Sequence, residues 1–186
     1  MLRFSLLDTP LAGLKVIQRS FISDDRGSLT RVFCRDELSR LGWSGPISQA
    51  NYTSTNRRGT IRGLHFQNPP HAETKLVSCL RGEIWDVAVD LRAHSPSFLH
   101  WHAEKLSSKN SLSYLIPKGF AHGFQALSDE CEVLYFHSDA YNKEAESGIC
   151  PTDPLLDIQW PIYKKIISQK DQNYPLLTNL FHGIVI

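Results

Sequence analysis

Residues 74–92 read TKLVSCLRGEIWDVAVDLR, and their pattern sets the kind of fold this chain adopts. Two runs rich in Val, Leu, Ile and Trp flank Arg81-Gly82, and a glycine at the second turn position favours a tight β-hairpin. Side chains alternate across a strand. Trp85, Val87, Val89 and Leu91 therefore share one face, and Ile84, Asp86, Ala88 and Asp90 share the other. The first is a core face. The second carries two carboxylates, so it meets either water or a polar lumen.

Outward from this unit the same pattern repeats. LKVIQRSFI, SLTRVFC, ISQANYTST, TIRGLHFQ, SFLHWHAEKL, LSYLIP, HGFQAL and EVLYFHS are short β-runs punctuated by Gly, Pro and Asn. Many short strands at such spacing predict a sandwich or barrel. An all-β jelly roll with a polar interior fits, because two packed sheets manage strand edges and can hold a ligand between them. Helical periodicity is scarce. RDELSRLG at 35–42, closing on Gly42, and the segment after Pro161 are the two candidates, so helices should be short and peripheral. We read residues 1–186 as a single domain, long enough to bury a core without staples.

Composition removes several function classes. Net charge is +1, from 20 Lys+Arg against 19 Asp+Glu, which builds no basic field for nucleic acid. Four cysteines lie far apart without a CxxC pair, so neither a zinc knuckle nor a disulfide scaffold is indicated. The opening MLRFSLLDTPLAGLKV is interrupted by Asp8 and Pro10, and no run approaches the ~20 apolar residues of a membrane span. The expectation is a cytoplasmic protein with no membrane partner.

Polar residues then interrupt the β-runs in clusters. In IRGLHFQ, 61–67, Arg62, His65 and Gln67 mark either a solvated edge strand or a pocket lining. Lys75, opening the next run, is either a strand-edge gatekeeper or a pocket cation. Gln49, Asn51 and Thr53 share a face in SQANYTST, which fits edge solvation and ligand contact equally well. DDRG at 24–27 is a polar turn whose Arg26 is able to hold a phosphate bidentately. In IPKGFAHGF two Gly-Phe pairs bracket His122, and glycines in a β-context permit a bulge or a close backbone approach. EVLYFHSDAY offers Tyr135 and Tyr141, each an acid or a packed ring. HWH places His100 and His102 at i, i+2 with Glu104 beside them and His122 downstream, a ligand pattern used by metal-binding jelly rolls.

Together DDRG, SQANYTST, GTIRGLHFQNPPHAETKLVSCLRGEIWDVAVDLR, SPSF, IPKGFAHGFQALSD, EVLY, DIQWP and SQKD resemble the dTDP-4-dehydrorhamnose 3,5-epimerase family in order and spacing. The resemblance spans roughly residues 5–175, and RGLHFQ followed by KLV and GFAHGF is its specific core. It implies a cupin-like jelly roll (a double-stranded β-helix), a homodimer, and no cofactor or metal. The implied substrate is a nucleotide-diphosphate 4-keto-deoxysugar, epimerised on the way to surface polysaccharides or glycosides. His65 matches the catalytic base, Asp171 of SQKD the carboxylate that orients it, and Tyr135 the general acid. Lys75 and His122 match residues near the keto oxygen; Arg62, Gln49 and Asn51 match substrate contacts, and Arg26 a diphosphate contact.

One segment departs from the family pattern. RGSLTR puts Ser28 and Leu29 where the family usually carries aromatics, and Arg31 where it carries an acid. The nucleotide base is therefore open, and so is inversion at C3, at C5 or at both. A 3,4-ketoisomerase of the same sugars, a metal-dependent cupin using His100 and His102, and a non-catalytic sugar-binding module stand as alternatives.

Overall fold

The computed structural model describes residues 3–186; of the domain expected over 1–186, Met1 and Leu2 lie outside the described residues. The short apolar runs become strands β1 (Phe4–Asp8), β2 (Lys15–Arg19), β3 (Phe21–Asp24), β4 (Gly27–Thr30), β5 (Gln49–Thr55), β6 (Thr60–Gln67) and β7 (Lys75–Arg81). They continue as β8 (Glu83–Asp90), β9 (Trp101–Ser107), β10 (Leu112–Ile116), β11 (Phe120–Ala126), β12 (Cys131–His137), β13 (Glu146–Gly148) and β14 (Ile166–Ile167). The helices are single turns, α1 (Arg35–Ser39) and α2 (Gln169–Gln172), where the sequence placed its two candidates. No helix among the described residues is long and apolar enough to cross a membrane.

One sheet runs β1-β2-β10-β7-β12-β5, and the other runs β13-β6-β11-β8-β9 with β14 added in parallel to β6. Val16, Val77, Tyr114 and Val133 of the first pack against Ile84, Ala88, Leu106 and Phe124 of the second, making the inter-sheet core of a jelly roll. Each sheet is also covered outside. Leu38 and Trp43, around α1, sit on Ile17, Leu76 and Leu115. The C-terminal segment lays Ile149, Leu156, Ile158 and Trp160 over Leu64, Val87, Val89 and Leu91. Trp160 Nε1 donates to the Pro151 carbonyl at 2.8 Å, which lets the indole be buried without losing its hydrogen bond.

The hairpin expected at Arg81-Gly82 does not form. β7 and β8 lie in different sheets, and Gly82 carries the chain across the end of the sandwich. Its φ is +74°, and a Cβ there would stand 2.5 Å from Ser128 Oγ and 3.0 Å from Cys131 Sγ. A glycine read as a turn residue was correct; the turn joins layers rather than neighbours, because both arms have better partners, β10 and β12 for β7, β11 and β9 for β8. Asp86 and Asp90 on β8 are both fully buried, so that face meets a polar interior and not water. Asp90 is neutralised locally, accepting from Arg92 Nε at 2.8 Å and from Ser97 Oγ at 2.6 Å. Asp86 is the partner of His122, a residue of the cavity described next.

Candidate active site

The cavity begins with an irregularity in β6. His122 of β11 pairs with His65 and Phe124 with Arg62, so Gly63 and Leu64 together face the single residue Gly123. That two-against-one count is a β-bulge. Gly63 has φ +122°, and a Cβ on it would come within 2.5 Å of Gly123 Cα. No other residue fits there. The bulge resets the alternation, so Arg62, His65 and Gln67 all line the cavity, while Leu64 packs away from it behind the sheet with Ile61 and Phe66, which also touch the cavity wall. The polar residues of IRGLHFQ are a pocket lining.

The cavity lies between the sheets and has a volume of about 610 Å³. One wall is β6 and β11, with Arg62, His65 and His122; the other is β5, β7 and β12, with Gln49, Asn51, Lys75 and Tyr135. Ser168, Lys170 and Asp171 add to its lining.

His65 Nε2 lies 2.8 Å from Asp171 Oδ1. A carboxylate only accepts, so Nε2 carries the proton and Nδ1 keeps a lone pair. Asp171 is itself fixed: Ser168 caps α2 by accepting from the Asp171 amide at 3.0 Å, and Asp171 Oδ2 accepts from the Gly63 amide at 3.4 Å. Burial acts to raise the Asp171 carboxyl, but the His65 and Gly63 hydrogen bonds outweigh it and hold the group below the usual carboxylate range. Tyr174 packs its ring edge against His65 at 5.7 Å between centroids.

His122, which lines the cavity, is hydrogen-bonded through Nε2 to the buried Asp86 Oδ1. Asp86 is pushed up by complete burial, even with the imidazole and Lys75 drawing it down, and its Oδ2 has no hydrogen-bond partner among the described residues. Across from it Tyr135 meets the His122 ring edge-on, with centroids 6.0 Å apart. Burial, with the nearby Asp86 charge, raises the Tyr135 phenol above its ordinary value. Lys75 is buried and donates to the His65 carbonyl at 3.3 Å, with Glu73 Oε1 3.1 Å from its ammonium.

The remaining expected contacts divide. Arg62 is aimed by Thr55 Oγ1 at 3.0 Å and the Ser54 carbonyl at 3.2 Å. Gln49 accepts from the Tyr141 amide at 2.9 Å, and Asn51 Nδ2 lies 3.5 Å from His137 Nε2. Both line the cavity. Arg26 does not. It stands on the β3–β4 hairpin, 89% exposed, paired with Asp24 at 2.6 Å. The HWH set also fails to assemble: His100 precedes β9 and bonds the Phe98 carbonyl, and His102 lies 4.0 Å from Glu104. Among the described residues no three His, Cys, Asp or Glu side chains gather as a metal-ligand set.

Sequence reasoning missed Glu73, His137, Glu146 and Lys170, all of which line the cavity. His137 had a usable signal, standing two residues from Tyr135 and so on the same strand face, whereas Glu73 precedes β7 and alternation does not place it. Glu146 and Lys170 pair at 2.6 Å over the mouth, a contact between distant segments that no local pattern encodes.

The family described as dTDP-4-dehydrorhamnose 3,5-epimerase matches residues 8–179 of this chain. A relative of that name from Methanothermobacter thermautotrophicus is 42% identical over 183 residues, covering 96% of this chain and 98% of the relative. The crystal structure of dTDP-4-dehydrorhamnose 3,5-epimerase from Elizabethkingia anophelis superposes with a TM-score of 0.90 at 38% identity, covering 96% of this chain and 99% of that one. A dTDP-6-deoxy-D-glucose-3,5-epimerase from Legionella pneumophila, solved with dTDP-4-keto-L-rhamnose, gives a TM-score of 0.88 at 37% identity, covering 93% and 92%.

Proposed function

This chain belongs to the dTDP-4-dehydrorhamnose 3,5-epimerase family, and on that premise we propose that it epimerises a dTDP-linked 4-keto-6-deoxyhexose at C3 and C5 in deoxysugar biosynthesis. The observation that carries the reading is an opposition of walls. The His65–Asp171 pair stands on one sheet and Tyr135 on the other, with the cavity between them. A sugar ring held there exposes one face to a base and the other to an acid.

The hydrogens on C3 and C5 both lie α to the keto group, so loss of either gives an enolate. His65 takes the proton through Nδ1, and Asp171 stabilises the imidazolium that forms, since it stays ionised and already holds Nε2. Negative charge gathers on O4. Lys75, buried and fixed by the His65 carbonyl and Glu73, supplies a cation where that charge develops, which favours the transition state over the ground state. His122 completes that side. Tyr135 returns a proton from the opposite wall, and the centre is inverted. Arg62, Gln49 and Asn51 hold the sugar and its linkage.

Arg26 does not line the cavity between the sheets, so a diphosphate role for it belongs to a homodimer. An isolated two-stranded hairpin is marginal in water. This one leaves Phe21 60%, Ile22 48% and Leu29 72% exposed, and a second copy covering it would carry Arg26 toward the neighbouring cavity. We place the protein in the cytoplasm, consistent with four cysteines that are all free thiols.

The test is incubation with dTDP-, CDP- and GDP-linked 4-keto-6-deoxyhexoses in deuterated water. Deuterium entering at C3 and C5 of the dTDP sugar, with inversion, is expected. Movement of the carbonyl to C3 identifies a 3,4-ketoisomerase instead.

A further inference from the structure

The cavity's three histidines each face a carboxylate. Two of these pairs, His65–Asp171 and His122–Asp86, stand on the β6–β11 wall. The third, His137 with Glu73, stands on the other wall, and its imidazole has no part in the chemistry above. His137 Nδ1 lies 3.7 Å from Glu73 Oε2, an ion-pair distance once the imidazole is doubly protonated. Glu73 is itself fixed by Gln67 Nε2 at 2.7 Å and by Lys75. Burial tends to raise its carboxyl, yet His137 and Lys75 bring it below the usual range, so it is a carboxylate ready to support a cation. His137 follows Tyr135 by two residues on β12, and their rings stack at 6.1 Å and 25°. Both side chains line the cavity on the face opposite His65.

The chemistry calls for a second donor in that position. In a 4-keto hexose of gluco configuration the C3 and C5 hydrogens are axial on one face, so a single base reaches both. Inverting both centres then needs two proton deliveries on the other face. Tyr135 is one donor. A buried phenol gives up its proton reluctantly, and once spent it must be recharged before a second centre is served.

We propose that His137, held by Glu73, is a second catalytic proton donor that serves one of the two stereocentres while Tyr135 serves the other. The assignment rests on the epimerase reading. In its step the bond from carbon to hydrogen breaks toward His65, and the electron pair becomes the enolate. That carbon then takes a proton from His137 Nε2 on the opposite face, leaving neutral imidazole. His65 releases its proton to solvent and His137 regains one, so the net change is isomerisation.

The experiment follows inversion at C3 and C5 separately by NMR in deuterated water, for the wild type, His137→Gln and His137→Phe. Glutamine lacks the acidic proton; phenylalanine keeps the stack on Tyr135 and covers the case in which the first variant fails to fold. Each variant should invert one carbon at close to the wild-type rate and the other about 100-fold more slowly, the usual worth of a general acid. Deuterium should still enter the slow carbon with retention, because His65 is intact, and Tyr135→Phe should slow the other carbon. An equal fall at both carbons, no change at either, or a wild type that inverts only one centre overturns the assignment. A wild type that exchanges neither carbon overturns the epimerase reading itself.

Discussion

Gly63 and Gly123 meet backbone to backbone where β6 slips past β11. A Cβ on Gly63 would stand 2.5 Å from Gly123 Cα, and one on Gly123 would stand 2.6 Å from the Arg62 carbonyl oxygen. This approach is what turns Arg62 and His65 onto one cavity. Gly123→Ala should therefore cost about 1–3 kcal/mol of stability, as overpacking does in a dense interior. It should also lower kcat by pushing the two strands apart. Urea unfolding and steady-state rates check both effects; an alanine variant as stable and active as the wild type would show that the contact does not set the site.

Removing the base separates chemistry from binding. His65→Ala should abolish deuterium entry at every carbon while leaving affinity for dTDP nearly unchanged. Asp171→Asn should lower kcat by roughly two to four orders of magnitude, because a carboxylate that fixes a catalytic tautomer is worth that much. Calorimetry with dTDP and exchange measured by NMR read the two quantities independently. Equal exchange in the His65 variant would assign the base elsewhere.

Asp171 also links the site to acid stability. Its carboxyl lies lower in the fold than in the unfolded chain, because the His65 and Gly63 hydrogen bonds outweigh burial. The ionised form thus stabilises the native state above the ordinary carboxylate range, and that contribution is lost as pH falls through the folded value. Asp171→Asn should narrow the difference in melting temperature between neutral pH and about pH 3, below the reference carboxylate value. A variant with the same acid sensitivity as the wild type would mean that the pair carries no such linkage.

Much of this was written locally, and what was not has physical reasons. The two faces of β8 could be read because alternation is local: Asp86 and Asp90 left water or a polar lumen for their face, and burial of both decides for the interior. The bulge can be argued from the sequence, since strict alternation sends Arg62 and His65 to opposite faces and Gly63 is the residue that permits otherwise. The partners of a turn are not local. Gly82 reads identically whether its strands pair or part, and only the competition from β10, β12, β11 and β9 decides it. His65–Asp171 spans 106 residues, so no spacing reveals it and only the family resemblance pointed there. Arg26 marks a different limit, since the hairpin that carries it stands outside the cavity and nothing in its local pattern tells a solvated turn from a binding group.

The dimer can be tested through that hairpin. Ile22 and Leu29 are directly opposite in the β3–β4 register, forming an apolar cross-strand pair that is 48% and 72% exposed. Cross-strand pairs stabilise a hairpin only modestly, and the exposed one gains its main burial from a partner. Light scattering at micromolar concentration should give twice the mass of one chain. Leu29→Glu should shift it toward the monomer, since a charge placed in an apolar interface remains unpaired. The same variant should raise KM for the dTDP sugar far more than it lowers kcat, because His65, Asp171 and Tyr135 all stand within one chain while Arg26 would lose its approach to the neighbouring cavity. A wild-type monomer at micromolar concentration would remove both the dimer and the diphosphate role of Arg26.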